Sequence, residues 1–384
     1  MTDKFKLSST WQNEVRATLA GSYVIEDNNA LTTSSPINGD LTNYQNLIKR
    51  TVISGSLFNN ESVGGILSTY SLIAGVGGNP EGGVLSTNGE IHFCNQTLFR
   101  NQKLSRTGVL STYSLLTTSR NGIVLAPNGD MHQIPVSGTV GQKINASGVV
   151  STYSLVNSAG SLKFVGGALS PNAEVHFGIF GAVTGQKVDV NGAVSTYSVI
   201  NTTAGQKYTG AITAFNGDIH FVPYGATVGQ KVAANGTVST YSLVYTIGGA
   251  YIGGVLSPNG DIHFIPAEAE VGQKISKQET VSTYTLVNAP VPGFGSYYEG
   301  GVLAPNGDIH FVPSGATIGQ KISANGTVST YTLLIAGGYS SGILDIYGDI
   351  RFIPYQATRG QKITTEAIVP FLKGTVLSPY FNKF

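Results

Sequence analysis

The chain has 384 residues, of which only 11% are charged and 50 are glycine, whereas soluble domains average about 25% charged residues and about 7% glycine. Its 22 Lys and Arg residues balance 21 Asp and Glu residues to a net charge of +1, so neither nucleic acid nor an anionic membrane surface is an expected partner. The single cysteine, Cys94, excludes an internal disulfide and any site built from several cysteines.

Residues 1–45 form a predicted N-terminal extension. Its first residues, MTDKFKLSSTWQNEV, lack the apolar segment of a signal peptide, and no run of about 18 apolar residues that would insert into a membrane is present. A short helix is predicted with its N-cap at one of Ser8, Ser9 or Thr10 and an apolar stripe of Trp11, Val15 and Leu19. The sequence leaves open whether this helix anchors the chain to another protein or packs on its own domain.

Two motifs repeat through the rest of the chain. The phrase GGVLSPNGDIHFIP at 253–266 recurs, with changes, in seven copies that end with SGILDIYGDIRFIP at 341–354. A second motif, V-S-T-Y-S/T-L-V, recurs every 40 to 47 residues and is centred on Tyr70, Tyr113, Tyr153, Tyr197, Tyr241, Tyr284 and Tyr331. Between them lies a Gln-Lys pair, whose lysines are Lys103, Lys143, Lys187, Lys231, Lys274, Lys321 and Lys362.

Four short strands fit each repeat, in the order GGVLS, DIHFIP, GQKIS and TVSTYSLV. Asn-Gly pairs between them are hairpin signals, and helical periodicity is absent after residue 19. Units of about 40 to 45 residues with four strands are typical of β-propeller blades. We therefore predict an all-β chain in which residues 46–384 form a single β-propeller of four-stranded blades.

The segments at the two ends of the chain determine whether seven or eight blades are predicted. Residues 53–71 loosely parallel the second to fourth strands of a repeat, and GTVLSP at 374–379 copies a first strand. A blade shared by these segments would give eight blades, which is slightly favoured. The alternative is seven, with the strand at Tyr70 completing the blade that starts at Ser341. In both cases N- and C-terminal strands pair and close the ring, which removes free sheet edges.

The phrase GGVLAPNG-x-I-x-F-x-P resembles the repeat of poorly characterised β-propellers that occur in microbial and viral genomes. The resemblance spans about 310 residues and implies a fold without implying a reaction. The Gly-His and Trp-Asp signatures of WD repeats are absent, since the only tryptophan is Trp11. The partners of WD-repeat proteins are therefore not implied for this chain.

All six histidines occupy one position of the repeat, two residues after a carboxylate, and Arg351 takes this position in the seventh copy. Residues i and i+2 of a strand share a face, so acid and imidazole can pair. Equivalent sites in different blades are too far apart for one metal ion. We therefore predict no metal site but a structural network, exemplified by Asp261, His263, Lys274, Asp308, His310 and Lys321.

The repeats differ most between the fourth strand and the next first strand, and such variable loops commonly carry function. Two residues before the Gly-Gly position five copies have an aromatic residue, and the other two have Pro80 and Ser119. If the first strand is innermost, the aromatic rings approach the mouth of a central channel and form a collar for a sugar or an apolar side chain. This candidate binding collar is Phe164, Tyr208, Tyr251, Tyr298 and Tyr339; the alternative is that the rings cap the core between blades.

No enzyme motif is present: the chain lacks G-x-S-x-G, P-loop and H-E-x-x-H sequences. We therefore predict no catalytic residue and no cofactor. An enzyme acting on polysaccharide stays as an alternative, because Glu81 and Glu299 are acids just before the Gly-Gly position and a carboxylate pair can cleave glycosidic bonds.

Low charge and a surface rich in Ser, Thr and Asn are typical of proteins exposed outside cells, yet an export signal and disulfides are missing. A virion protein, assembled in the cytoplasm, reconciles these features. We predict a non-enzymatic phage or viral component, for decoration or receptor binding, that binds a glycan or protein on a host surface and other virion proteins through its N-terminus. A cytoplasmic scaffold that binds cellular proteins is the alternative, and homo-oligomerisation stays open.

Overall fold

The structure, a computed structural model, describes residues 66–73, 80–157, 162–202 and 205–364. The predicted extension, the strand-like segment before residue 66 and the GTVLSP segment lie outside these ranges, so the domain boundary at residue 45 stays a prediction. Every regular element in the described ranges is a β-strand. They contain no helix that is long and apolar enough to cross a membrane.

Twenty-eight strands follow the repeat closely. The first strands are β2 (Pro80–Leu85), β6 (Arg120–Leu125), β10 (Phe164–Leu169), β14 (Tyr208–Thr213), β18 (Tyr251–Leu256), β22 (Tyr298–Leu303) and β26 (Tyr339–Leu344). The second strands are β3 (Ile91–Asn95), β7 (Met131–Pro135), β11 (Val175–Ile179), β15 (Ile219–Pro223), β19 (Ile262–Pro266), β23 (Ile309–Pro313) and β27 (Ile350–Pro354).

The third strands are β4 (Arg100–Leu104), β8 (Val140–Ile144), β12 (Thr184–Val188), β16 (Val228–Val232), β20 (Val271–Ile275), β24 (Ile318–Ile322) and β28 (Gly360–Thr364). The fourth strands are β5 (Leu110–Ser114), β9 (Val150–Ser154), β13 (Val194–Ser198), β17 (Val238–Ser242), β21 (Val281–Thr285), β25 (Val328–Thr332) and β1 (Ile66–Tyr70). Consecutive strands pair antiparallel within each four-stranded sheet.

The sheets form a β-propeller of seven blades, which confirms the predicted fold class. Blades 1 to 6 are consecutive, from β2–β5 to β22–β25, and blade 7 consists of β26, β27, β28 and β1. In blade 7, Ile66 pairs with Thr364 and Tyr70 with Gly360, so an N-terminal strand closes the ring as predicted. The first strand of blade 1 lies beside those of blades 2 and 7. The ring is thus closed at seven blades, and the slight preference for eight is corrected.

The first strands are innermost, and in four of them a Gly-Gly pair lets neighbouring blades pack closely around the axis. In β18 the register shifts between Tyr251 and Gly254, and Gly253 has φ 70°, a conformation that favours glycine. A Cβ on Gly254 would lie 2.4 Å from Cδ1 of Ile212 in the preceding blade. The first glycine therefore forms a β-bulge, and the second allows the blades to approach.

The two ends of the ring differ. The turn face carries the hairpin turns, such as 86–90 and 105–109 in blade 1, whereas the loop face carries the loops between second and third strands and the variable connections between blades. In blade 7 the register places Ile66 and Thr364 at the turn face. The described chain therefore both enters and leaves the propeller at the turn face, opposite the variable connections.

Candidate functional site

The predicted aromatic collar lies in the core between blades. All five rings, of Phe164, Tyr208, Tyr251, Tyr298 and Tyr339, are 0% exposed. Each packs against the phenylalanine of its own second strand, with ring centroids 5.3 to 5.9 Å apart. A ring that stacks on a sugar needs an open face, so the expectation that these residues line an accessible channel mouth is corrected. They cap the core, which was the alternative.

The hydroxyl groups of three of these residues, Tyr208, Tyr251 and Tyr298, donate to backbone carbonyl oxygens inside the protein. The Tyr208 hydroxyl donates to the carbonyl of Val228 at 2.8 Å, and the Tyr251 hydroxyl donates to that of Val271 at 3.1 Å. In blade 2 the register pairs Arg120 with Pro135, so Arg120 rather than Ser119 occupies the equivalent position. The buried Arg120 guanidinium donates to backbone carbonyl oxygens of the preceding blade.

The structure brings together the acid, lysine and histidine residues of each repeat. Lys274 Nζ lies 2.7 Å from Asp261 Oδ2, and Lys321 Nζ lies 2.7 Å from Asp308 Oδ2. The His310 ring is buried, with Nδ1 3.3 Å from the Tyr331 hydroxyl. His263 packs edge-on against the corresponding tyrosine of its blade, with ring centroids 5.5 Å apart. The same set of contacts recurs from blade to blade.

Blade 7 shows how the network accommodates a different residue. Arg351 Nε donates to Asp345 Oδ2 at 2.8 Å, and its guanidinium lies 5.6 Å from the centre of the Tyr70 ring. Lys362 keeps its ion pair with Asp349 at 2.7 Å. Arg351, which occupies the histidine position, therefore contacts a second carboxylate, Asp345, and the ring of Tyr70. The ion pair between lysine and acid is the same as in the other blades.

Burial favours the uncharged form of five histidines, His92, His132, His176, His220 and His310. Loss of hydration lowers the pKa of His92, His132, His220 and His310 to about 4, partly offset by the neighbouring carboxylates. Burial likewise raises the pKa of the Cys94 thiol to about 12, so this cysteine is not a reactive nucleophile. No group of three or more His, Cys, Asp or Glu side chains in the described ranges is placed to hold a metal ion.

The glutamine of each Gln-Lys pair fastens neighbouring blades together. Gln230 is fully buried, and its Oε1 accepts hydrogen bonds from the backbone N–H groups of Ile200 and Asn201 at 3.0 and 2.9 Å. These two residues begin the connection that leaves the preceding blade. The same pair of contacts is made by Gln142, Gln186, Gln273, Gln320 and Gln361. The sequence interpretation considered only the lysine and missed this role, although all seven copies keep the glutamine.

We expect Gln230→Ala to lower the free energy of unfolding by about 2 to 3 kcal/mol, because two backbone N–H groups lose their acceptor in a largely water-free interface. The exposed Gln278 provides a matched control: Gln278→Ala should change stability by less than about 0.5 kcal/mol. Denaturant unfolding measures both. Equal effects of the two substitutions would refute a clamping role for Gln230.

The channel mouth at the loop face is lined by the second residue of each innermost strand. These residues are Glu81, Asn121, Val165, Thr209, Ile252, Glu299 and Ser340. Asn121 Nδ2 donates to Glu81 Oε2, and Ser340 Oγ donates to the carbonyl of Pro80, so neighbouring blades are linked around the axis. The mouth is therefore a mixed polar and apolar ring that contains two carboxyl groups.

The two carboxyl groups influence each other. Burial, and then the charge of Glu299, raise the pKa of Glu81 from its usual range to about 7. Burial also raises the pKa of Glu299, although the Ser314 hydroxyl donates to its Oε1 at 3.1 Å and opposes this shift. A carboxyl group whose pKa lies near neutrality has the electronic character of a general acid.

We expect Glu81→Gln to stabilise the protein by up to about 3 kcal/mol at pH 8. The folded pKa is above the unfolded value of 4.5, so ionising Glu81 costs stability as pH rises from 4.5 to 7. The advantage of the variant should therefore vanish below pH 4.5 and level off above pH 7. Thermal unfolding between pH 6 and pH 8 tests it, because the advantage should grow over this range while the wild type is still folded; a constant difference between the proteins would contradict it.

Aromatic residues also surround the mouth. Phe180 and Tyr224 follow the second strands of blades 3 and 4, and their ring centroids are 5.7 Å apart. Residues 286–297, which join blades 5 and 6, are the longest connection between blades in the described ranges. Their Phe294 side chain is 81% exposed, and the loop is held by the Gly293 N–H, which donates to Glu268 Oε2 at 3.0 Å.

An exposed aliphatic residue follows the fourth strand of each of six blades. We call this set the apolar rim; its exposed fractions are Leu116 57%, Val156 60%, Ile200 54%, Val244 61%, Val287 61% and Leu334 56%. Each of their backbone N–H groups is bound by the clamping glutamine of the next blade. The rim is therefore a rigidly held apolar circle on the loop face, which the sequence analysis did not identify.

Comparisons with known proteins bear on the fold. No family model and no curated protein matches the sequence. Among solved structures, a streptogramin B lyase has a TM-score of 0.68 at 15% identity, covering 78% of this chain and 97% of the lyase. A virginiamycin B lyase from Staphylococcus aureus gives 0.68 at 14%, with 78% and 99% coverage.

The extracellular domain of a proposed one-component system from B. thetaiotaomicron gives a TM-score of 0.57 at 10% identity, covering 79% of this chain and 44% of the other. The similar structures thus include lyases and the extracellular domain of a proposed one-component system. At these identities the likeness establishes the propeller fold alone.

Proposed function

We propose that the protein is a non-enzymatic component of a larger assembly, tethered at its turn face, whose loop face binds a protein. One arrangement carries this proposal: the described chain enters and leaves the ring at the turn face, while the apolar rim, the long connection with Phe294 and the channel mouth lie at the opposite face. Exposed apolar patches are typical of surfaces that bind other proteins. The residues that led us to expect glycan binding are the five collar residues, and their rings are buried. They therefore give no support to glycan binding.

A virion remains the proposed setting. Only 11% of the residues are charged, and a low-charge surface of Ser, Thr and Asn suits a protein that assembles in the cytoplasm and later faces the environment. Decoration of a particle and binding to a host surface both fit a ring that is held on one face. In either role the N-terminal residues 1–45 would attach the ring to other virion proteins.

The test compares two double variants of the full-length chain. Val244→Asp with Val287→Asp places charges in the apolar rim, whereas Val109→Asp with Val149→Asp does so at exposed valines of the turn face. Binding is measured to the purified protein itself, to intact host cells and to a glycan array. We expect the rim variant to lose protein-mediated or cell binding and the turn-face variant to keep it. Binding to glycans alone, equal in both variants, would contradict the proposal.

An enzyme is a second candidate, favoured by the pKa of about 7 of Glu81 beside Glu299. Glu81 would act as a general acid at the channel mouth, on a polysaccharide or on a streptogramin, since streptogramin B lyases have a similar fold. Incubation with quinupristin and with a polysaccharide panel tests this candidate. Product that forms with the wild type and with neither Glu81→Gln nor Glu299→Gln would replace the non-enzymatic proposal.

A further inference from the structure

The apolar rim is not needed by the core of its own blade. The residue just before each rim position is the one that points inward: Leu286 is 6% exposed, whereas Val287 is 61% exposed. Exposed aliphatic residues scattered over a surface need no explanation, but here six blades expose one at the same repeat position. Burial of these residues against a partner would remove apolar area from water at six of the seven blades.

The circular arrangement restricts the partner. A protein that contacts all six rim positions at once must itself present a ring of similar diameter, and a second copy of this chain does. Because Ile66 and Thr364 both lie at the turn face, two rings can stack through their loop faces without burying either described end of the chain. We infer that the partner of the loop face is a second copy, stacked ring on ring about a two-fold axis; this rests on the proposed function.

The charges at the outer loop face place the axis. Next to the rim, the residue before each third strand is uncharged in five blades, as Phe99, Thr139, Val183, Thr227 and Thr317. The other two are exposed and of opposite sign, namely Glu270 in blade 5 and Arg359 in blade 7. A two-fold axis through blade 6 brings blade 5 of one copy over blade 7 of the other. Each Glu270 then faces the Arg359 of the second copy, and two such pairs form.

The lengths of the connections point to the same axis. Residues 286–297, the longest connection, precede blade 6, and the short connection 333–338 follows it. The two-fold axis exchanges these two positions, so the long connection of each copy lies over the short connection of the other. Phe294, which is 81% exposed, would thereby be covered by the second copy. A long connection of one copy that lies over a short connection of the other gives the shape complementarity of a stable interface.

Sedimentation equilibrium of the full chain at about 50 µM tests the inference. We expect the wild type, of 40.1 kDa per chain, and the turn-face double variant V109D/V149D to sediment as dimers. V244D/V287D should be monomeric, since it buries four carboxylates in the interface. Glu270→Arg alone and Arg359→Glu alone should each weaken dimerisation at least tenfold, and the two together should restore it to within about threefold of the wild type.

Two results would overturn the inference: a monomeric wild type, or a dimer that V244D/V287D leaves intact. Failure of the combined charge reversal to restore dimerisation would overturn the axis through blade 6. These results are separable from the proposed function. A monomeric wild type whose binding to host cells is still lost in V244D/V287D would retain a protein-binding loop face while rejecting self-stacking.

Discussion

The protein is expected to unfold cooperatively in mild acid, between about pH 6 and pH 4. The histidines of four blades have a pKa of about 4 in the folded protein instead of the usual 6.5. Below pH 6.5 the unfolded chain binds protons that the folded chain does not, so the stability present at neutral pH is lost as pH falls toward 4. Four such groups give a slope of about 5 kcal/mol per pH unit, which is comparable with the whole stability of a typical domain.

The surroundings of the histidines set the size of this effect. Burial is the largest cause of the lowered pKa. For His220, the charge of Lys231 also lowers the pKa, whereas the charges of Asp218 and Glu279 raise it. The Tyr241 hydroxyl, 3.4 Å from Nδ1 of His220, contacts the neutral ring. Protonation therefore places a cation in a buried site next to a lysine.

Denaturant unfolding at intervals of half a pH unit from 7.5 to 4.5 measures the slope. His220→Gln supplies the control, since it keeps a polar side chain that does not titrate. We expect this variant to be less stable at pH 7 but to lose stability less steeply, by about 1.4 kcal/mol per pH unit. Stability that stays constant from pH 7 to pH 5 in the wild type would show that the histidines are not held neutral by burial.

Removal of a single ring from the core between blades is the second large effect. We expect Tyr251→Ala to lower the free energy of unfolding by about 3 to 5 kcal/mol, because the side chain is fully buried and packs against Phe264 with ring centroids 5.9 Å apart. A cavity would remain between two blades whose strands cannot easily close it. Chemical denaturation compared with the wild type gives the value.

Matched phenylalanine variants separate the ring from the hydroxyl. Tyr251→Phe should cost about 1 kcal/mol, because its hydroxyl donates to the Val271 carbonyl at 3.1 Å. The buried Tyr339 hydroxyl has no hydrogen-bond partner in the described part of the chain, so Tyr339→Phe should be neutral or slightly stabilising. A Tyr251→Ala protein that keeps its stability and loses only ligand binding would restore the collar interpretation.

Most of the repeated polar residues stabilise the fold. The neutral histidines, the lysine and acid pairs and the clamping glutamines are the same in nearly every blade, and each satisfies a buried group or joins two blades. Function is then carried by what differs or stays exposed. In this protein those features are the acid pair Glu81 and Glu299, the connection 286–297 and the apolar rim, all at one face.

The sequence by itself determined the β-propeller, because the information for it is local. Turn residues and alternating patterns recur every 40 to 47 residues, and each repeat specifies its own four strands. The predicted strand GQKIS corresponds to β20 (Val271–Ile275), and DIHFIP corresponds to β19 (Ile262–Pro266). The placement of acid and histidine on one face was also predictable, since strand geometry places residues two apart on the same side; the lysine reaches the acid from the neighbouring strand, where Lys274 pairs with His263.

Only the tertiary structure decided the number of blades, the burial of the collar rings and the exposure of the rim residues. The count depends on how closely blades pack, which is set by contacts such as Gly254 against Ile212 and not by any single repeat. The collar tyrosines and the rim valines lie a few residues apart in sequence, yet Tyr251 is fully buried and Val244 is 61% exposed. Periodicity tells which residues are equivalent, whereas the neighbouring blade determines which of them water can reach.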